Sequence, residues 1–195
     1  MKSVTIGTGR VSIPVIRLGA LLCLCIAFAQ PARAADWVVA QVAPLSGVLA
    51  TTGERMVLGV KLHFDAVNAA GGIHGRKIRL EVRDDGYRIE DTIEQTRDLL
   101  ENVKPIALIG YAGTSNLTAL LETGLLADYR TSLIGPYTGG ESLRTPFNPH
   151  IFHVRAGYED ETEYMVRQLT MQGSRRIGVL YQDDGFGRSG LVGVE

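Results

Sequence analysis

The chain has 195 residues, 45% hydrophobic and 21% charged, with a formal net charge of −1. That make-up suits one globular domain, or one and part of another, and excludes a disordered chain. Four of the 20 bases, Lys2, Arg10, Arg17 and Arg33, precede residue 35, where no acid stands; the other 16 face all 21 acids, so the body carries −5. An acidic body argues against nucleic acid as a partner, because neutralising phosphates supplies that affinity.

The chain opens as a secretory signal does. Lys2, Arg10 and Arg17 form a basic start, and Leu18–Ala29 is an apolar run shorter than the roughly 20 residues a spanning helix needs. Ala32-Arg33-Ala34 fits small-x-small cleavage, which predicts a cut after Ala34 and a signal over 1–34. Both cysteines, Cys23 and Cys25, fall inside it. The mature chain would then hold no disulfide, no thiolate metal site and no nucleophilic cysteine.

Trp37–Ala43 is nearly all apolar and reads as a central parallel strand. Pro44–Gly53 is a Pro, Gly, Ser and Thr loop, with Thr51 or Thr52 placed to cap the next helix and Glu54 in its first turn. Val57, Val60, Phe64 and Val67 share one face of that helix, and Gly71-Gly72 stops it. Lys77–Val82 alternates as a strand does, and Asp84-Asp85-Gly86 turns it. Ile89, Ile93, Thr96, Leu100 and Val103 mark a second helix, closed by Pro105, and Ile106–Ile109 is a buried strand. A third helix is predicted over Leu117–Tyr129, then a strand at Ser132–Ile134 and a loop at Gly135–Gly140.

Two prolines in Thr145–Pro149 mark a crossing. Ile151–Val154 is extended and Tyr158–Met171 helical; Arg176–Tyr181 reads as a buried strand, and a further helix starts near Arg188. Strands alternating with helices predict a parallel α/β sheet with right-handed crossovers. The loops Pro44–Gly53, Gly110–Asn116 and Gly135–Gly140 should then open at one edge of that sheet, where ligands bind. There is a faint internal echo: Leu80–Tyr87 and Val179–Phe186 both run strand, Asp-Asp-Gly, aromatic.

No nucleophile elbow, phosphate loop or His-Glu-x-x-His motif is present. His150 and His153 would point to opposite faces of a strand, which disfavours a shared metal. Asp84-Asp85 and Asp183-Asp184 read as solvated turns rather than carboxylate pairs or calcium ligands. Asn116-Leu117-Thr118 matches a glycosylation sequon but opens a helix. Ser46, Thr114, Ser115 and Thr138 offer hydroxyls, either as helix caps or as ligand contacts. Thr114 and Ser115 stand at a helix N-terminus, which favours an anion such as a carboxylate. Tyr137, Tyr158 and Phe186 could wall an apolar pocket.

Pro44-Leu45-Ser46-Gly47, Asn68–Ile78 with its Gly-Gly-Ile-x-Gly stop, Arg83-Asp84-Asp85, Gly110–Ser115, Gly135–Gly139 and Gln182–Gly187 together resemble a known family. It comprises the periplasmic substrate-binding proteins of ABC transporters for branched-chain and related amino acids. The resemblance runs from about Trp37 to the end and implies the type I periplasmic-binding fold, a three-layer doubly wound parallel sheet. It implies an N-terminal lobe over 35–148, incomplete, and the start of a second lobe over 149–195, with the rest of that lobe missing beyond Glu195. Capture would proceed by closure of two lobes on a small amino-acid-like carboxylate, followed by docking on a membrane permease. No cofactor, no enzymatic step and a monomeric state are expected.

The resemblance also assigns roles. Gly113, Thr114 and Ser115 fall where the ligand carboxylate is held, and Pro136, Tyr137 and Thr138 where the α-amino group is bound. Phe186 falls where a second-lobe aromatic covers the ligand, and Ser46 lines the cleft. Tyr137 departs from the small residue of branched-chain binders, so leucine, isoleucine or valine does not follow from the resemblance. A ligand-sensing receptor of the same fold and a non-functional partial chain are the rival readings.

Overall fold

The computed structural model describes residues 35–195; the expected signal and its cleavage point lie outside them. Five parallel strands form one sheet in the order β2-β1-β3-β4-β5. They are β1 (Trp37–Ala43), β2 (Ile78–Asp84), β3 (Ala107–Ile109), β4 (Leu133–Ile134) and β5 (Ile151–Phe152). In register, Val39 pairs with Leu80 of β2 on one side and Ala107 of β3 on the other. Residues 40–43 of β1 are fully buried, as a strand covered on both faces requires.

The helices are α1 (Ala50–Ala69), α2 (Ile89–Asp98), α3 (Thr114–Glu122), α4 (Leu125–Asp128), α5 (Tyr158–Met171) and α6 (Gly185–Val192). The order fixes the layers. From β1 the chain crosses outward to β2, then back over β1 to β3. Right-handed crossovers in opposite directions put α1 on one face and α2 and α3 on the other. The strand order therefore reverses between β1 and β3, and a crevice opens there at the carboxyl ends. The main core lies under α2 and α3, where Leu99, Leu100, Leu117 and Leu120 close on Val42, Leu108 and Leu133.

Several elements differ from expectation. Helix α1 starts at Ala50, without a side-chain cap, directly from a 3-10 turn at Gly47–Leu49. Thr51, Thr52 and Glu54 are thus already past its start. Gly53 is buried so close to Pro44 that a Cβ would stand 1.9 Å from the Pro44 carbonyl oxygen. The loop after β1 is clamped on the helix at that point. Helix α2 ends in a single π turn, Leu99–Val103, with Lys104 left-handed at φ 53°.

The third helix is two, α3 and α4, because Gly124 takes φ 74° between them. Helix α6 begins at Gly185 rather than near Arg188; the Asp184 carboxylate accepts from Gly187 N at 3.0 Å and caps it. β5 is the fifth strand of the sheet, pairing in parallel with β4.

The largest correction is Arg176–Tyr181. It forms no strand among the described residues, and Leu180 is fully exposed. An apolar run of that kind has the right side chains for a buried strand. A ladder also needs neighbours, and no described strand pairs with it.

Candidate functional site

The carboxyl-end crevice is a cavity of about 770 Å³. Each of the three expected loops reaches it. Val48 and Leu49 come from the loop after β1, Ala112, Gly113 and Thr114 from that after β3, and Tyr137 from that after β4. The second and third loops are joined directly, by Tyr137 N donating to Tyr111 O at 2.7 Å. Tyr158, Arg155, Glu161 and Phe186 close the far side.

Three helix N-termini meet at this point. Helix α3 makes its first intrahelical bond from Leu117 N to Gly113 O at 3.1 Å, which leaves the N–H groups of Thr114, Ser115 and Asn116 ahead of the ladder. Helix α5 is tied in by Tyr158 N, which donates to Gly139 O at 2.8 Å. Helix α6 is tied in by Gly185 N, which donates to Ser115 Oγ at 3.2 Å. Aligned peptide dipoles make each such end partly positive. Their convergence is a place for an anion.

The expected site residues do not all stand at the cavity. Gly113, Thr114, Tyr137, Tyr158 and Phe186 line it. Thr138 and Pro136 are buried behind it. The Thr138 hydroxyl lies 2.6 Å from that of Thr114 and accepts from Gly140 N at 3.1 Å. A chain of donors can therefore run from Gly140 N–H through Thr138 to Thr114, leaving the Thr114 proton for a ligand. Ser115 turns away into a second hollow bordered by Glu122, Glu141 and Glu159. Ser46 does not line the cavity; its backbone N–H and hydroxyl are taken up by Asp84, with N to Oδ1 at 3.2 Å. Its neighbours Val48 and Leu49 take the place expected for it.

The walls are aromatic. Tyr158 and Phe186 meet edge to face, centroids 5.1 Å apart at 84°, a favoured ring geometry. The Arg155 guanidinium sits 4.8 Å over the Tyr158 ring and bonds both Glu161 oxygens at 2.7 and 2.6 Å. The Glu161 hydrogen bond raises the Arg155 pKa further, so the guanidinium stays charged.

Tyr87, Arg155 and Glu161 were not foreseen. Tyr87 had a signal: the echo aligns it with Phe186, and the two aromatics line the same cavity. Burial, then the Asp184 charge, pushes its phenol pKa up. Asp85 is another correction. It is not a solvated turn but 1% exposed, and burial raises its pKa against the hydrogen bonds it accepts. Asp84 behaves oppositely. Burial works against its charge, but the Ser46 hydroxyl and the N–H groups of Gly86, Leu45 and Ser46 outweigh that, and its pKa is lowered. Among the described residues no group of three or more His, Cys, Asp or Glu is placed to hold a metal.

A cleft at the switch point of a parallel sheet, ringed by helix N-termini, defines a ligand-binding α/β lobe. Residues 37–195 match the family model described as "Periplasmic binding protein", and the chain belongs to that family. The fold is that of the type I periplasmic binding proteins. "Leu/Ile/Val-binding protein homolog 8" of Brucella abortus is 28% identical over 156 residues, 75% of this chain and 38% of the relative. A substrate-binding periplasmic protein from Ralstonia solanacearum has 43% identity and a TM-score of 0.79 over 82% of this chain and 45% of that one. An extracellular ligand-binding receptor from Verminephrobacter eiseniae has 36% identity and a TM-score of 0.78 over 82% and 44%. The chain thus spans less than half the length of these relatives. The family is one of solute-binding proteins, not of enzymes. Among the described residues no helix is long and apolar enough to cross a membrane.

Proposed function

We propose that the protein is an exported solute-binding protein that captures an amino acid or related small carboxylate and delivers it to an ABC transporter permease. The observation that carries this reading is the convergence of the α3, α5 and α6 N-termini on one aromatic-walled cleft. The free N–H groups at α3 and the Thr114 hydroxyl take the carboxylate, and the loop that carries Tyr137 to the cavity takes the α-amino group. Tyr158 and Phe186 cover the ligand. Gly113, Pro136 and Thr138 shape the floor, Ser115 holds the start of α6 through Gly185, and Ser46 fixes the rim loop through Asp84. Cleavage after Ala34 releases the protein, with residues 35–148 and 149–195 as parts of two lobes.

Calorimetry with a panel of α-amino acids and simple carboxylates, each beside its methyl ester, tests the reading. At least one acid should bind saturably and its ester should not. Thr114→Val, which keeps the shape and removes the hydroxyl, should weaken that binding by about 1.5–3 kcal/mol, the usual worth of a hydrogen bond to a charged group. Equal binding of acid and ester would remove the carboxylate role.

A further inference from the structure

Behind the cleft lies a hydrogen-bonded chain that the ligand contacts do not use. Asp85, Thr92 and Asn116 are 1%, 0% and 3% exposed. Asn116 Nδ2 donates to Thr92 Oγ1 at 2.9 Å, and Thr92 Oγ1 donates to Asp85 Oδ2 at 2.7 Å. The other Asp85 oxygen accepts from Tyr87 N at 3.0 Å. One carboxylate thus holds two parts of the cavity. It holds Tyr87, a wall residue at φ 64°, through the backbone. It holds α3, two residues beyond Thr114, through Thr92.

The two ends of the chain meet again at Gly113. A Cβ there would lie 2.6 Å from Asn116 Oδ1 and 2.8 Å from Tyr87 Cε2. The Gly113 backbone, at φ 96°, is clasped between the carboxamide and the ring. Its neighbour Thr114 carries the hydroxyl and N–H groups that face the cavity. A shift of Asn116 or Tyr87 would therefore move the floor and a wall together.

We propose that Asp85, Thr92 and Asn116 form a positioning relay that sets the gripping end of the cleft, with hydrogen-bond polarity running from Asn116 to Asp85. This rests on the solute-binding reading. None of the three residues touches the ligand; each acts through Gly113, Thr114 and Tyr87.

The polarity gives the test. Asn116→Asp faces one hydroxyl proton with two buried carboxylates, so one acceptor goes unsatisfied. Asp85→Asn added to it reverses the chain: the amide at position 85 donates to Thr92 Oγ1, which donates to the carboxylate at position 116. The amide oxygen at 85 still accepts from Tyr87 N. Thr92→Val cuts the relay by exchanging a hydroxyl for a methyl, and serves should Asn116→Asp fail to fold.

Two readouts are taken: hydrogen exchange over residues 111–117 without ligand, and affinity for L-leucine. Asn116→Asp and Thr92→Val should speed that exchange and weaken the affinity about tenfold, a loss typical of one buried polar group left unpaired. The reversed double variant should restore both to within about threefold. A double variant no better than Asn116→Asp, or single variants that leave exchange unchanged, would overturn the relay. If the unaltered protein takes up no L-leucine, that ligand is ruled out, while the exchange arm still decides the relay.

Discussion

Asp84 and Asp85 are neighbours with opposite electrostatics. Asp84 is held charged by N–H and hydroxyl donors at the rim, while Asp85 is sunk beneath Tyr87. A carboxyl whose pKa is raised by folding stabilises the native state below its unfolded value, near 3.8. That contribution is lost as pH rises through the higher folded value, because the native state binds the extra proton. Glu81, hydrogen-bonded first by Arg83, has a lowered pKa and works the other way. A comparison with Asp85→Asn follows the one group. The variant carries a pH-independent cost from the hydrogen bond it breaks with Thr92, so the sign lies in the trend: its stability relative to the parent should rise as pH climbs above 3.8 and level off below. Paired urea titrations across that range measure it; a relative stability that falls as pH rises would refute the burial account. In the sequence these two aspartates look the same. Their difference comes from burial: Asp85 is sunk beneath the chain and Asp84 stays exposed, which no local pattern in the sequence reveals.

At the scale of elements, the spacing of apolar residues located α1, α2, α5 and the first three strands, because the period of the apolar residues marks the element whether or not its face is fully covered: α1 buries only Gly53 and α5 no residue. Element ends were less legible, because they are set by contacts from elsewhere in the chain. Helix α1 starts early because Pro44 clamps Gly53. The end of α2 is a case where the sequence is suboptimal for its own backbone. Lys104 is exposed and left-handed, and its N–H bonds back to Leu99 O at 2.9 Å in the π turn. A side chain pays about 1–2 kcal/mol in that conformation, part of which glycine gives back through the entropy of the unfolded chain. Lys104→Gly should therefore stabilise the fold by about 0.5–1 kcal/mol. Thermal unfolding of the pair checks it, and a lower midpoint for the glycine variant would show that the turn is not strained.

At the scale of the molecule, burial is unevenly shared. Strand β1 and helices α2 and α3 carry the core, whereas α5 has no fully buried residue and the apolar run at 176–181 lies open. The sequence marked that run as a buried strand by composition alone, and composition does not reveal whether a neighbouring strand is present. Residues 158–192 are joined to the sheet mainly across the cleft, through Tyr158 N to Gly139 O and Gly185 N to Ser115 Oγ. Local opening free energy follows the apolar contacts an element would lose. Amide exchange should accordingly be fastest over 158–192 and slowest in β1 and α3. A ligand that bridges Thr114 to Tyr158 and Phe186 adds contacts to the weak side only when bound. Protection at the starts of α5 and α6 should then rise more on ligand addition than protection in β1. Equal exchange in α5 and β1 without ligand would mean that the second segment is held by something other than the cleft. A uniform rise on binding would point to global stabilisation by mass action rather than to bridging.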